Sequence, residues 1–382
     1  MMRGEHGLKE KRIRKILALI LAAVLMMCMF SGCGSAGGKS AAASSSSSSS
    51  GSGGTYIFTD SCGRQVKIPK KITRVAPSGA TAQMVLMTIA PETLVGLSNT
   101  PSVAQRRYFP KKMWSLPTFG QFYGSKANMN MESLIDADPQ VIIDIGDKKT
   151  NHKDDMNLIQ KQTGIPTIFI EATLDKFPGA YRTLGKVLGK EKKGERLAEY
   201  IENTLDTAEK NAAKIKKKDK LSVLYGTGST GLACNAKYSI QADVIEKIGA
   251  KNAIVVDQDE MNNAGGGTIV SMEEVYKSDP DALIFTSGGP YDSIASGAKE
   301  WKQLGAVKKG RYYEIPNIPY CWMSNPPSVN RIIGIWWLGN LLYPDIYDYN
   351  MISKAKKFYK LFYNYDLSTK EAKKMLGRST LK

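Results

Sequence analysis

Beyond residue 55 the apolar positions follow two rhythms. Short, almost wholly apolar runs recur at VIIDIG, GIPTIFIEA, KLSVLYGTG and ALIFTSGG, each with the length of a buried strand. Between them apolar residues return every three to four positions, the spacing of a helix that buries one face. YIFTDSCGRQVKIP reads as two short strands about a turn at Cys62-Gly63-Arg64, ended by Pro69. RVAPSGATAQMVLMTIA reads as strand, Ser/Gly loop and helix, LVGLSN as a further strand, and PTFGQFYGSKANMN as a glycine-punctuated loop. Strands that alternate with helices predict βα units and largely parallel sheets.

The middle of the chain departs from this alternation. Phe177, Tyr181, Leu184 and Leu188 form one helical stripe, stopped at Gly189. Leu197, Ile201, Leu205, Ala208, Ala212 and Ile215 form a second, which predicts a helix over 194–216, about 30 Å long at 1.5 Å per residue. The alternation then restarts and runs through QADVIEKIG, NAIVV and GRYYEI. The pattern predicts an α/β chain of two lobes, each with a mainly parallel sheet flanked by helices, joined by one long bridging helix. The expected bounds are 55–190, 191–218 for the bridge, and 219–382.

One unit occurs in both lobes. NMESLIDADPQVIIDIGD (130–147) and SMEEVYKSDPDALIFTSGG (271–289) align without a gap, 141 residues apart. Asn130 and Ser271 are good N-caps, Pro139 and Pro280 end the helices, and an apolar strand follows. Glu132 and Glu273 both fall in the first turn, where the helix dipole favours a carboxylate. Capping alone would place an acid there, but it would not require the same register twice.

The first 54 residues lack any core-forming pattern. Six Lys/Arg precede an apolar run from Ile16 to Phe30, followed by Ser31-Gly32-Cys33. This order resembles a lipoprotein signal peptide over 1–32, with a lipid expected on the Cys33 thiol. The Ser/Gly tract over 33–54 reads as a flexible leash. The net charge is +17, of which +13 remains beyond the signal. A basic exported domain beside an anionic membrane explains that balance without a nucleic acid. KIKKKDK (214–220) reads as a solvated helix end. Cys62, Cys234 and Cys321 are spaced as neither a disulfide framework nor a zinc site, though export would permit one bridge.

These segments together resemble the periplasmic binding proteins that serve iron-siderophore, haem and vitamin B12 ABC importers. The resemblance is carried by TDSCGRQVKIPKKITRVA, PTFGQFYGSKANMNMESLIDADPQVII, VSMEEVYKSDPDALI and WKQLGAVKKGRYYEIP. The ending, NPPSVNRIIGIWWLGNLLYPDIYDY, resembles a metal-complex subgroup that includes molybdate- and tungstate-type receptors. The resemblance implies a monomeric extracytoplasmic receptor, lipid-anchored to the membrane, that delivers cargo to a permease dimer with its ATPase subunits. It implies one docking glutamate per lobe, at Glu132 and Glu273, with Glu274 an open alternative. An iron complex of siderophore type is the first expected cargo, with molybdate/tungstate, haem and cobalamin behind it. A surface haem-relay or adhesion lipoprotein is the non-transport alternative.

In open α/β sheets ligands collect beyond the carboxyl ends of strands. Those ends carry Ser78, Gly79, Gly120, Tyr123, Ser125 and Lys126 in the first lobe, with Gly146-Asp147-Lys148 nearby. The second lobe offers Tyr238, Ser287, Tyr320, Trp322 and Arg331, together with 225–231 and 262–267. Glycine loops let backbone N–H groups approach an anion, and Tyr and Trp can stack on an organic ligand. Arg331 opens a helix and is either an anion holder or the partner of an acid. His6 lies in the signal, which leaves His152, in the exposed-looking stretch KKTNHKDD. A bare divalent metal usually takes several His plus carboxylates, so no metal site and no cofactor are expected. The chain has no Gly-x-Ser-x-Gly elbow, Walker A loop or His-Glu-x-x-His helix, and no enzyme is expected.

Overall fold

The computed structural model describes residues 54–123, 127–256, 267–324 and 326–380. The signal, the leash, Cys33, Ser125, Lys126 and most of the 262–267 loop lie outside the described residues.

Strands β1 (Thr55–Thr59) and β2 (Gln65–Pro69) pair antiparallel about the turn at Cys62-Gly63-Arg64. Asp60 closes that turn by accepting the Cys62 and Arg64 backbone N–H groups, each at 2.9 Å, and its buried carboxylate pairs with the Arg64 guanidinium. Strands β3 (Val75–Pro77), β4 (Val141–Gly146) and β5 (Thr167–Glu171) form a parallel sheet with β4 at its centre. The central position explains why VIIDIG is nearly all apolar: both of its faces are covered. Helices α1 (Ala80–Ile89), α2 (Met131–Asp136), α3 (His152–Thr163) and α4 (Phe177–Leu188) belong to this lobe.

The bridging helix α5 spans Glu191–Ala212. It begins three residues before the predicted start at 194 and ends four residues before 216. Its N-terminal half packs tightly on α4, and glycine makes that possible. A Cβ at Gly194 would lie 2.5 Å from the Tyr181 carbonyl oxygen. Beyond α5 the second sheet runs in the order β11-β10-β6-β7-β9, with β8 also paired to β6. Its parallel part joins β6 (Ser222–Thr227), β8 (Lys251–Asn252), β10 (Ala282–Phe285) and β11 (Tyr312–Glu314). The short strands β7 (Ala233–Cys234) and β9 (Thr268–Ile269) add antiparallel pairings. Helix α6 (Met272–Ser278) precedes β10, as α2 precedes β4.

Two expected strands shrink. LVGLSN contributes only the isolated bridges Val75–Leu94 and Leu97–Thr118, with Gly96 between them set close against the Phe119 ring. NAIVV pairs only through Asn252.

The chain ends in α7 (Asn330–Leu342), α8 (Met351–Tyr363) and α9 (Thr369–Leu376). Helix α8 returns to the first lobe. Phe362 meets Tyr181 edge-on at 6.1 Å and Tyr200 at 5.7 Å, while Tyr363 meets Phe109 at 5.9 Å. One continuous apolar core therefore runs from the first lobe through α5 into the second. Such aromatic contacts favour tilted and edge-on geometries, which these rings adopt.

Candidate functional site

In the first lobe the strand ends meet in a buried polar node. Ser78 follows β3, and its hydroxyl donates to Asp144 Oδ1 on β4. Asp144 Oδ2 faces His152 Nε2 at 2.6 Å. The ring's other nitrogen, Nδ1, accepts the Lys149 backbone N–H at 3.2 Å, so the Nε2 hydrogen is the one that points at Asp144. His152 is 2% exposed, which corrects the exposed reading of KKTNHKDD. The polar neighbours are local in sequence, but the carboxylate that buries the ring lies eight residues back on β4. Asp144 holds both groups, one on each carboxylate oxygen, and no serine–imidazole hydrogen bond of the kind a hydrolase uses is found among the described residues.

Tyr123 lies beside the node. Its ring centroid is 5.9 Å from that of His152, with the Lys149 ammonium 3.9 Å from the Tyr123 centroid. Its hydroxyl is buried without a hydrogen-bond partner among the described residues, and burial pushes the phenol well above its ordinary value. Gly120 turns the preceding loop at φ +87°, where a Cβ would lie 2.5 Å from the Asn128 carbonyl oxygen. Gly79 is the N-cap residue of α1. Ser78, Gly79, Gly120 and Tyr123 thus cluster beyond β3 and β4.

The second lobe divides its candidates. Tyr238 is 53% exposed with φ 72°, and Ser287 lies exposed in the turn after β10. Tyr320 spans the two lobes: its hydroxyl reaches Met87 Sδ of α1 at 3.5 Å, and burial pushes its phenol up to about 12. The Gln105 side-chain amide, donating to the Pro319 carbonyl at 2.6 Å, adds a second cross-lobe tie.

Trp322 and Arg331 are both buried. Trp322 is fully buried, and its indole N–H donates to the Tyr359 hydroxyl at 3.1 Å, so it packs the core. Arg331 is 1% exposed and partnered by an acid: it donates to Asp243 Oδ2 at 3.0 Å and to the Ile240 carbonyl at 2.9 Å. Burial pulls its pKa down, against the opposing pull of Asp243 and Asp147. Both residues look ligand-like in sequence because aromatic and cationic types serve core and cleft equally well.

A cavity of about 620 Å³ lies elsewhere. Glu171, Asp175, Pro178, Glu202, Glu209 and Lys247 line it, along the end of β5 and one face of α5. None of the expected ligand residues takes part. Asp175 and Lys247 form a cross-lobe ion pair at 2.6 Å on its wall. The three described cysteines are free thiols, with Cys234 and Cys321 buried.

The repeated unit now has a geometry. Asn130 accepts the Ser133 N–H at 3.0 Å, and Ser271 accepts the Glu274 N–H at 3.2 Å. The Glu274 carboxylate returns to the Ser271 N–H at 2.6 Å and its hydroxyl at 2.8 Å, closing a capping box. Glu274 is thereby occupied, whereas Glu132 and Glu273 are exposed with no side-chain partner among the described residues. The repeated Asp-Pro also has a backbone cause. Asp138 (φ 45°) and Asp279 (φ 34°) both turn left-handed before the proline, a conformation Asp tolerates better than most residues.

Residues 75–319 match the model of the family described as Periplasmic binding protein. The lipoprotein YhfQ of Bacillus subtilis is 25% identical over 223 residues, which cover 55% of this chain and 66% of that protein. The high-affinity heme uptake system protein IsdE of Staphylococcus aureus is 22% identical over 246 residues, covering 62% of this chain and 77% of its own. Among solved structures, an ABC transporter solute binding protein from Sulfurospirillum deleyianum superposes with a TM-score of 0.77 at 26% identity. That match covers 84% of this chain and 99% of the other.

Proposed function

The chain belongs to the periplasmic binding protein family, and from that premise we propose that it is the extracytoplasmic substrate-binding component of an ABC importer. It captures an iron complex of siderophore type between its lobes and delivers it to a permease dimer. The observation that carries this reading is the paired geometry. Two parallel-sheet lobes joined by one long helix each present one glutamate, without a side-chain partner among the described residues, in the same turn of the same repeated unit. Two like charges on two equivalent lobes suit a transporter built from two equivalent halves.

The cargo reading rests on what the strand ends offer. His152 is held by Asp144 and is not free to ligate. The buried, unpartnered Tyr123 hydroxyl and the adjacent Lys149 ammonium suit an anionic, oxygen-rich complex. Ser125 and Lys126, outside the described residues, are proposed as further ligand residues. Cys33 is the proposed lipid anchor; no helix among the described residues is long and apolar enough to cross a membrane.

The test is a thermal-shift and calorimetric titration of the unit from Gly53 onward, a compact unit in itself, against ferric siderophores, haem, cobalamin and molybdate. Saturable stabilisation by a ferric siderophore supports the reading. Haem or molybdate as the sole stabiliser reassigns the cargo, and no stabilisation by any of them overturns the receptor reading.

A further inference from the structure

The 141-residue register that pairs the two glutamates pairs a second set of side chains. Three residues after Glu132 stands Ile135, 46% exposed; three residues after Glu273 stands Tyr276, 36% exposed. No other two exposed large apolar side chains among the described residues share that spacing. On a helix, positions i and i+3 lie on one face, so each apolar side chain rises beside its glutamate. The Tyr276 ring is also held in place, because its hydroxyl donates to the Glu300 carbonyl.

On the first lobe the glutamate borders a recess of about 390 Å³, lined by Pro117, Asn130, Glu132, Ser133, Asp136 and Ala137. Two of those six are carboxylates one helical turn apart, so the recess suits a cationic side chain from a partner. An apolar anchor beside a charged recess is the composition of an interface hot spot, in which a few large side chains dominate and Tyr is over-represented.

We infer that Ile135 and Tyr276 are the apolar anchors of a two-point docking surface, each seated in an apolar patch beside a cationic residue on one half of the permease dimer. The glutamates then steer and orient the encounter, while the apolar pair supplies the lifetime of the complex. This inference rests on the importer reading above.

The test places a photo-crosslinking benzophenone amino acid in the full-length chain, in cells of its source, at Glu132, Ile135, Glu273, Tyr276 or, as a control, Leu158, which is 53% exposed on α3. The expected result is cross-linking to the same polytopic permease from the four docking positions and none from Leu158. In binding to that permease, Ile135→Ala and Tyr276→Ala each weaken affinity by about tenfold, while Tyr276→Phe, which keeps the ring but loses the tie to Glu300, weakens it less than Tyr276→Ala. Cross-links from the glutamate positions alone overturn the inference and leave the importer reading standing. Equal labelling from Leu158, or labelling of lipid instead of protein, also overturns it. Absence of permease cross-links from all four docking positions sinks both.

Discussion

Replacing Trp322 with alanine separates a core residue from a ligand residue. The indole is fully buried, its N–H donates to Tyr359 at 3.1 Å, and α7 packs directly on its backbone. A Cβ added at Gly334 of α7 would lie 2.1 Å from the Trp322 carbonyl oxygen, so the helix has little room to collapse into a vacated space. Truncating a buried Trp to Ala costs about 3–5 kcal/mol, and a site that cannot collapse falls toward the upper end. The unit from Gly53 to Lys382 has an unfolding entropy of about 0.7 kcal/mol/K, from about 2.1 cal/mol/K per residue. The melting temperature should therefore fall by about 4–7 °C. Trp322→Phe loses the hydrogen bond and part of the volume, about 1–2 kcal/mol, and should fall by about 1–3 °C. Differential scanning calorimetry with and without the stabilising ligand reads both effects. The ligand-induced shift should survive in both variants. A Trp322→Ala protein that melts within about 1 °C of the parent but no longer responds to ligand would refute the reasoning and return Trp322 to the cleft.

Other consequences follow from the same geometry. Glu132→Ala combined with Glu273→Ala should abolish most uptake of labelled cargo while leaving the ligand-induced thermal shift intact; normal uptake in the double variant would remove the docking assignment. Burial raises the Asp243 carboxyl to about 6, against the pull of Arg331. A carboxyl raised above its ordinary value of about 3.9 contributes stability that is full below pH ~4 and lost as pH rises through about 6. Urea midpoints across that range should show Asp243→Asn lacking this component of the parent's decline, and parallel curves would contradict the assignment. Cys33→Ser should move the protein from the membrane fraction to the soluble fraction, and unchanged membrane attachment would dismiss the lipid anchor.

The alternation of strands and helices, the long bridge and the repeated unit were legible in sequence because each depends on neighbours within about one helical turn. An N-cap Asn or Ser, a Pro after a left-handed Asp and an apolar stripe act over three or four residues, so Asn130, Ser271, Pro139 and Pro280 could be assigned without a fold. The choice between Glu273 and Glu274 lay one step further. Both sit in the first turn, and only the positions of the side chains show that Glu274 closes the capping box while Glu273 has no side-chain partner among the described residues.

Burial and partnership were decided by tertiary structure alone. His152 looks solvated between Lys and Asp residues, yet the end of β4 brings Asp144 against its ring. Arg331 has no acid within four residues, and its carboxylate partner arrives from Asp243, 88 positions away. Trp322 meets Tyr359 only because the closing helices fold back across the lobes. A polar or aromatic side chain has the same local sequence signature in a cleft as in a core. What separates them is whether a distant segment supplies the matching hydrogen bond or apolar wall, and that is a property of the folded chain.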